Sequence, residues 1–165
     1  MISTVVAGLS LAIWLVLIFA RHGFWLARER DTRDVPADPV HWPDVTAVVP
    51  ARDEADVIAR SIGSLAGQDY PGRFHIILMD DSSSDGTADI ARALGSDRVE
   101  VVRGLPLAPG WTGKLWAVSQ GVERAGSAPT WLWLTDADIE HAPDTLRTLV
   151  ARGEEGALTL VSLMA

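Results

Sequence analysis

"FHIILMDDSSSDGTADIARAL", residues 74–94, decides the fold. Residues 74–79 are a short apolar run rich in branched side chains, which predicts a strand. Asp80 and Asp81 end the run, three serines make a turn, and Asp85 stands where a side chain can cap a helix over residues 86–94. The same order of strand, acid-bearing turn and helix recurs along the chain. "VTAVV" (45–49), "VEVV" (99–102), "TWLWLT" (130–135) and "ALTLVSL" (157–163) are further strand candidates. Val57, Ile58, Ile62 and Leu65 mark one intervening helix, and residues 114–124 and 143–151 mark two more. This alternation predicts an α/β fold with a mostly parallel sheet flanked by helices, since parallel strands need crossover connections. Ligands of such sheets bind beyond the carboxyl ends of the strands, so the loops after each strand are the candidate site.

Four loops follow. After the first strand comes "PARDEAD", residues 50–56, which also suits the acid-rich first turn of a helix. After the second, capping accounts for Asp85 but not for Asp80 and Asp81, which could accept hydrogen bonds from a base or a ribose hydroxyl. After the third, "RGLPLAPGWTGKLWA" (103–117) contains Gly113-Lys114, yet Ala108 and Leu115 break the Walker pattern at both ends. Lys114 could still hold a phosphate, or be a solvated lysine. No GxGxxG follows the first strand, which counts against a dinucleotide cofactor. After the fourth comes Asp136-Ala137-Asp138. In an extended segment the two carboxylates point to one side and repel unless a cation lies between them. Mg²⁺ or Mn²⁺ is the oxygen-seeking ion that would also bind diphosphate. A lone D-x-D is common in turns; its place in the same sheet as Asp80-Asp81 and Lys114 strengthens it.

The N-terminus differs. Ile2 to Ala20 carries no charge, and as a helix of 19 residues it would span about 28 Å, near the ~30 Å of a bilayer's hydrocarbon. No basic residue precedes it and no small-residue cleavage site follows, so an uncleaved transmembrane anchor is expected. Arg21, Arg28, Arg30 and Arg33, with Trp25 as an interfacial aromatic, place the following domain in the cytoplasm. The expected division is an anchor with its flank over 1–28, a proline-rich linker over 29–44 and a folded domain over 45–165. A net charge of -8 excludes free nucleic acid as a general partner, and the absence of cysteine excludes disulfides and thiolate chemistry.

Taken together, "VVPARDEADVI", "ILMDDSSSDGT", "GWTGKLWA" and "LTDADI" resemble the successive signatures of the family 2 glycosyltransferases of GT-A fold. "GWTGKLWA" after an N-terminal anchor is most similar to the hopanoid-biosynthesis-associated branch. The resemblance implies that Pro50, Ala51, Arg52 and Glu54, with Asp80 or Asp81, hold the nucleotide of a donor sugar, expected to be UDP-linked. It implies that Asp136 and Asp138 carry Mg²⁺ or Mn²⁺ on the diphosphate, with Asp138 the direct ligand and Asp136 binding the ribose or the metal through water, and that Lys114 meets a phosphate. It further implies transfer to a lipid acceptor at a membrane. Family members run longer, and the part that brings the acceptor site and general base is not visible here, so a truncated, donor-binding chain is the expectation. A nucleotidyltransferase and a non-catalytic nucleotide-binding membrane protein are the alternatives.

Overall fold

The computed structural model describes residues 2–20 and 36–163. The chain forms two compact units, residues 1–35 and 36–165. In the first, α1 (Ile2–Phe19) is a single helix. Its apolar side chains are exposed on every face, with Val5, Leu9, Leu11, Trp14 and Phe19 all more than 60% accessible. At 18 residues it is about 27 Å long, a little under a bilayer's hydrocarbon thickness. Among the described residues no helix is long and apolar enough to cross a membrane, so the expected span stands only as a helix. Trp25 and the four arginines that set the expected orientation lie outside the described residues.

In the second unit the elements alternate: β1 (Val45–Ala51), α2 (Ile58–Ala66), β2 (Phe74–Asp80), α3 (Thr87–Ala93), β3 (Val99–Arg103), α4 (Gly113–Ala125), β4 (Trp131–Leu134) and α5 (Thr145–Glu155). The four strands form one parallel sheet in the order β3-β2-β1-β4. Side chains alternate across it. Val45, Ala47, Val49, Ile76 and Leu78 meet Ile58, Ile62 and Leu65 of α2 and Leu146 and Val150 of α5. Ile77 and Met79 meet Ala117 of α4 on the other face. Each fully buried Ile or Leu contributes about 1.5–3 kcal/mol. Gly121 lets α4 approach the sheet, since a Cβ there would lie 2.3 Å from Val48 Cγ1.

The chain steps outward from β1 to β3, then returns through α4 on the opposite face to β4 beside β1. That reversal opens a crevice at the carboxyl ends of β1 and β4. The register brings Ala51 level with Asp80, and Asp80 level with Arg103, so three strand ends share one rim.

Two stretches depart from expectation. The predicted strand over 157–163 does not form. Instead Gly156, Ala157 and Leu158 donate their N–H groups back to Arg152, Glu154 and Gly153, with Ala157 at φ 46, and so close the end of α5. Residues 36–44, within the stretch expected to be linker, pack on the domain. Trp42 meets Tyr70 edge-on at 5.3 Å, the Tyr70 hydroxyl donates to Pro43 O at 2.6 Å, and Arg147 pairs with Asp38. Burial, then the charges of Glu154 and Asp44, push the Tyr70 phenol well above its ordinary range, so it remains a neutral donor.

Candidate functional site

The crevice is a cleft of about 310 Å³ lined by Pro50, Ala51, Arg52, Glu54, Asp81, Gly113, Lys114, Asp136, Ala137 and Asp138. Thus four loops separated by as many as 88 positions in sequence meet at one rim, because every parallel strand ends on that side. All the predicted site residues line it except Asp80. That residue is only 6% exposed, and its carboxylate accepts the Ser83 N–H at 3.2 Å. Strand alternation turns Asp80 inward and leaves Asp81 for the cleft.

The first two loops are joined side chain to backbone. Asp53 N–H donates to Ser83 Oγ at 3.0 Å, Glu54 N–H to Thr87 Oγ1 at 2.8 Å and Ala55 N–H to Asp85 Oδ2 at 2.9 Å. In return Asp53 Oδ1 accepts the Ser84 N–H at 2.7 Å. Asp53 and Ser82 both take positive φ, 54 and 61, which these short side chains tolerate and which folds each loop toward the other. Gly86, not Asp85, occupies the cap position of α3, but Asp85 still accepts the Thr87 N–H at 3.0 Å and hydroxyl at 2.6 Å. The Thr87 hydroxyl, then the Ala55 N–H, hold the Asp85 carboxyl below its usual range. The expected N-cap is thus shifted by one residue to Gly86, with Asp85 bonding only the first helical N–H, and its bond across to the first loop is new.

Charge in the cleft alternates. Arg52 Nη1 lies 3.4 Å from Asp81 Oδ2, and Lys114 Nζ lies 2.7 Å from Asp136 Oδ1. Gly113 admits the Asp81 carboxylate against the first turn of α4; a Cβ there would lie 2.8 Å from Asp81 Oδ2. Asp136 and Asp138 do not sit on an extended segment, because the chain turns at Ala137 and Asp138, yet both line the cleft around the buried Ala137. Asp138 has no ion-pair partner among the described residues.

This donor set fits a hard divalent cation in one particular way. Among the described residues no three metal-ligating side chains cluster, so an ion held by Asp136 and Asp138 would draw its other ligands from water and a bound phosphate. Mg²⁺ and Mn²⁺ are bound in this manner, by one or two carboxylates plus substrate oxygens.

Beside the cleft, and sharing Asp136 with it, runs a groove of about 600 Å³. Leu132 and Leu134 of β4, Leu149 of α5, and Leu160, Val161 and Leu163 give it apolar walls, while Glu140 and His141 supply polar groups. His141 escaped the sequence reading, having no motif around it. Its ring nitrogen Nε2 lies 2.9 Å from Thr135 Oγ1, its backbone N–H donates to Ser64 Oγ at 3.0 Å, and its ring lies tilted against that of Trp133 at 4.7 Å between centroids. Burial lowers its pKa, favouring the neutral ring. The buried Gln68, equally silent in sequence, accepts the Leu146 N–H at 2.8 Å and donates to Ala142 O at 2.7 Å, fixing the turn beyond Asp138.

Residues 46–164 match the family described as glycosyl transferase family 2. The chain belongs to that family. Its curated relatives include the 4,4'-diaponeurosporenoate glycosyltransferase of Staphylococcus aureus, 34% identical over 122 residues that make up 70% of this chain and 31% of the relative. The chain thus spans about a third of the length of the curated relatives it matches. Among solved structures, a mannosyltransferase from Pyrobaculum calidifontis in complex with GDP-Man and Mn²⁺ superposes with a TM-score of 0.68 at 25% identity, covering 92% of this chain and 44% of that one. Glucosyl-3-phosphoglycerate synthase of Mycobacterium tuberculosis, in complex with Mn²⁺, UDP and glucosyl-3-phosphoglycerate, superposes at 0.51 with 25% identity over 67% of this chain and 39% of that one. These neighbours bear out the α/β fold expected from strand order.

Proposed function

We propose that the cleft at the β1/β4 reversal binds a nucleotide-diphosphate sugar, UDP-linked, and that the protein transfers the sugar to an apolar lipid at a membrane. The observation that carries this is the convergence of Arg52, Asp81, Lys114, Asp136 and Asp138 on one cleft. Each has a task in holding such a donor. Asp81, steadied by Arg52, accepts hydrogen bonds from the base or ribose. Lys114, once released from Asp136, sets its ammonium beside the diphosphate. Asp138, with Asp136, would hold Mg²⁺ or Mn²⁺, which as a Lewis acid stabilises the departing diphosphate. An acceptor hydroxyl deprotonated by a carboxylate attacks the anomeric carbon with inversion.

Two observations support an apolar acceptor. The groove that shares Asp136 with the cleft is walled by leucines, and the curated relatives are named as 4,4'-diaponeurosporenoate glycosyltransferases. The likeness of "GWTGKLWA" to the hopanoid-associated branch favours the same class. Membrane placement, with the domain on the cytoplasmic face, is supported by α1, apolar on every side and exposed, and by the arginines that follow it in sequence.

Calorimetric titration with UDP and UDP-sugars, with and without Mn²⁺, tests the donor site. The wild-type chain should bind with metal-enhanced affinity, and Asp138→Asn should lose the metal-dependent part while its circular dichroism is unchanged. Metal-dependent affinity that survives in Asp138→Asn removes the assignment.

A further inference from the structure

We propose that His141 is a positioning residue for the metal-binding turn, closing residues 135–141 through the Thr135 hydroxyl so that Asp136 and Asp138 stand ready for one divalent cation. β4 ends at Leu134 and α5 begins at Thr145, so both acids lie on irregular chain that no ladder or helix holds in shape. Their like charges push it open. The bond of 2.9 Å between Thr135 Oγ1 and His141 Nε2 works against that, since it joins the two ends of the stretch that carries both acids. Either ring tautomer can form it, because a hydroxyl both donates and accepts.

What the ring does is separable from what the backbone does. The His141 backbone N–H donates to Ser64 Oγ at 3.0 Å, and that hydroxyl donates in turn to Ser61 O at 2.7 Å on α2. One residue on, Ala142 O accepts from Gln68 Nε2 at 2.7 Å and from the Thr145 N–H at 3.1 Å. The chain at 141–142 is therefore moored to the core without help from the imidazole. Trp133, with its ring centroid 4.7 Å from that of His141, confines the side chain, and the task left to its polar edge is to grip Thr135. Thr135 needs that grip. It is 9% exposed, its own N–H reaches Val48 O only at 3.4 Å, and Asp136 follows it directly. A rotation about Thr135 would swing Asp136 relative to Asp138, which lies beyond the buried Ala137.

Metal binding is where such a shift tells. Among the described residues no third carboxylate or imidazole clusters with Asp136 and Asp138, so the ion's fit depends on the spacing of these two. Groups that orient ligands without touching the metal contribute to its affinity for this reason.

This rests on the donor reading above, and its test separates the two. Full-length wild type, His141→Phe, His141→Gln, Thr135→Val and the Phe/Val double variant are titrated calorimetrically with UDP, in EDTA and in Mn²⁺. Bound Mn²⁺ is measured independently from loss of the free ion's paramagnetic resonance signal. Phe keeps a ring against Trp133 but has no polar edge, Gln returns an amide near the place of Nε2, and Val replaces the Thr135 hydroxyl at equal size. His141→Phe and Thr135→Val should each lower the Mn²⁺ affinity of the UDP-loaded chain about ten- to a hundred-fold. UDP affinity in EDTA should be unchanged, the double variant no worse than either single one, and Gln should restore most of the loss. Wild-type Mn²⁺ affinity in His141→Phe overturns the proposal, as does a loss that Thr135→Val does not share. A loss matched by weaker UDP binding in EDTA and a lower urea midpoint also overturns it, since His141 would then serve the fold. Should His141→Phe fail to fold, the milder Thr135→Val decides. If the wild type binds UDP no better in Mn²⁺ than in EDTA, the donor reading itself fails and takes the proposal with it.

Discussion

Gly113→Ala tests the donor site without touching the core. The added methyl would lie 2.8 Å from Asp81 Oδ2, against the 3.4 Å at which ordinary contact begins, so the carboxylate must retreat by about 0.6 Å. The obstructing atom is the free end of a short side chain, so the fold yields cheaply there. Replacing glycine by alanine in a helix also gains up to about 1 kcal/mol, which offsets the clash. Function does not yield cheaply. A hydrogen bond to a charged group contributes about 1.5–3 kcal/mol, and losing one from Asp81 to the nucleoside weakens UDP about ten- to a hundred-fold. Calorimetric titration with UDP and Mn²⁺ measures that loss, and a urea midpoint measures stability. Unchanged affinity refutes the role of Asp81. A weakened midpoint accompanying the weaker binding refutes the reasoning in another way, since it would make Gly113 a folding residue.

Lys114→Ala should leave stability within about 1 kcal/mol, because the pair with Asp136 is largely solvent-exposed, but should weaken UDP binding measurably; equal affinities would make the lysine an ordinary surface cation. Gly121→Ala should behave oppositely. Its methyl meets Val48 Cγ1 at 2.3 Å and Met79 Cγ at 3.0 Å inside the packed interface, so overpacking exceeds the propensity gain and about 1–2 kcal/mol of stability is lost in a urea titration. His141 sets a pH dependence. Its folded pKa lies below the ordinary 6.5, so the unfolded chain binds the proton first. The stability this contributes is full above that value and is lost as pH falls toward the folded pKa. Urea midpoints measured from about pH 7 down to about pH 5 should decline in the wild type and decline less in His141→Gln; parallel slopes would assign the decline to other groups.

What was legible in the sequence was whatever depends on strand ends. Pro50, Arg52, Asp81, Lys114 and Asp138 are far apart in the chain, yet the parallel sheet carries all their loops to one side, so a count of strands suffices to gather them. The choice between Asp80 and Asp81 was not legible, because it turns on which acid the strand's alternation points inward. Residues 157–163 alternate like a strand but follow directly on α5, and the helix takes their first N–H groups before a sheet can. Nor do three prolines between 36 and 43 reveal that Trp42 will lean on Tyr70, a contact made only once the domain has closed. His141 and Gln68 act through partners 6 to 78 positions away, and no local pattern encodes such pairings.

The bonds tying residues 53–55 to residues 83–87 have a consequence for how a nucleotide would arrive. Two loops that would each have to find a binding-competent shape are already a single rigid cradle, so their ordering entropy is spent during folding and not on association. Association then needs no rearrangement of these loops, and its rate should approach that of diffusional docking to a finished surface. The same bonds extend the footprint of the site beyond the atoms that touch the ligand. Ser83 and Thr87 are absent from the cleft wall, yet removing either hydroxyl would hand mobility back to Glu54 and Asp53, and the nucleotide would then have to supply the ordering on every encounter.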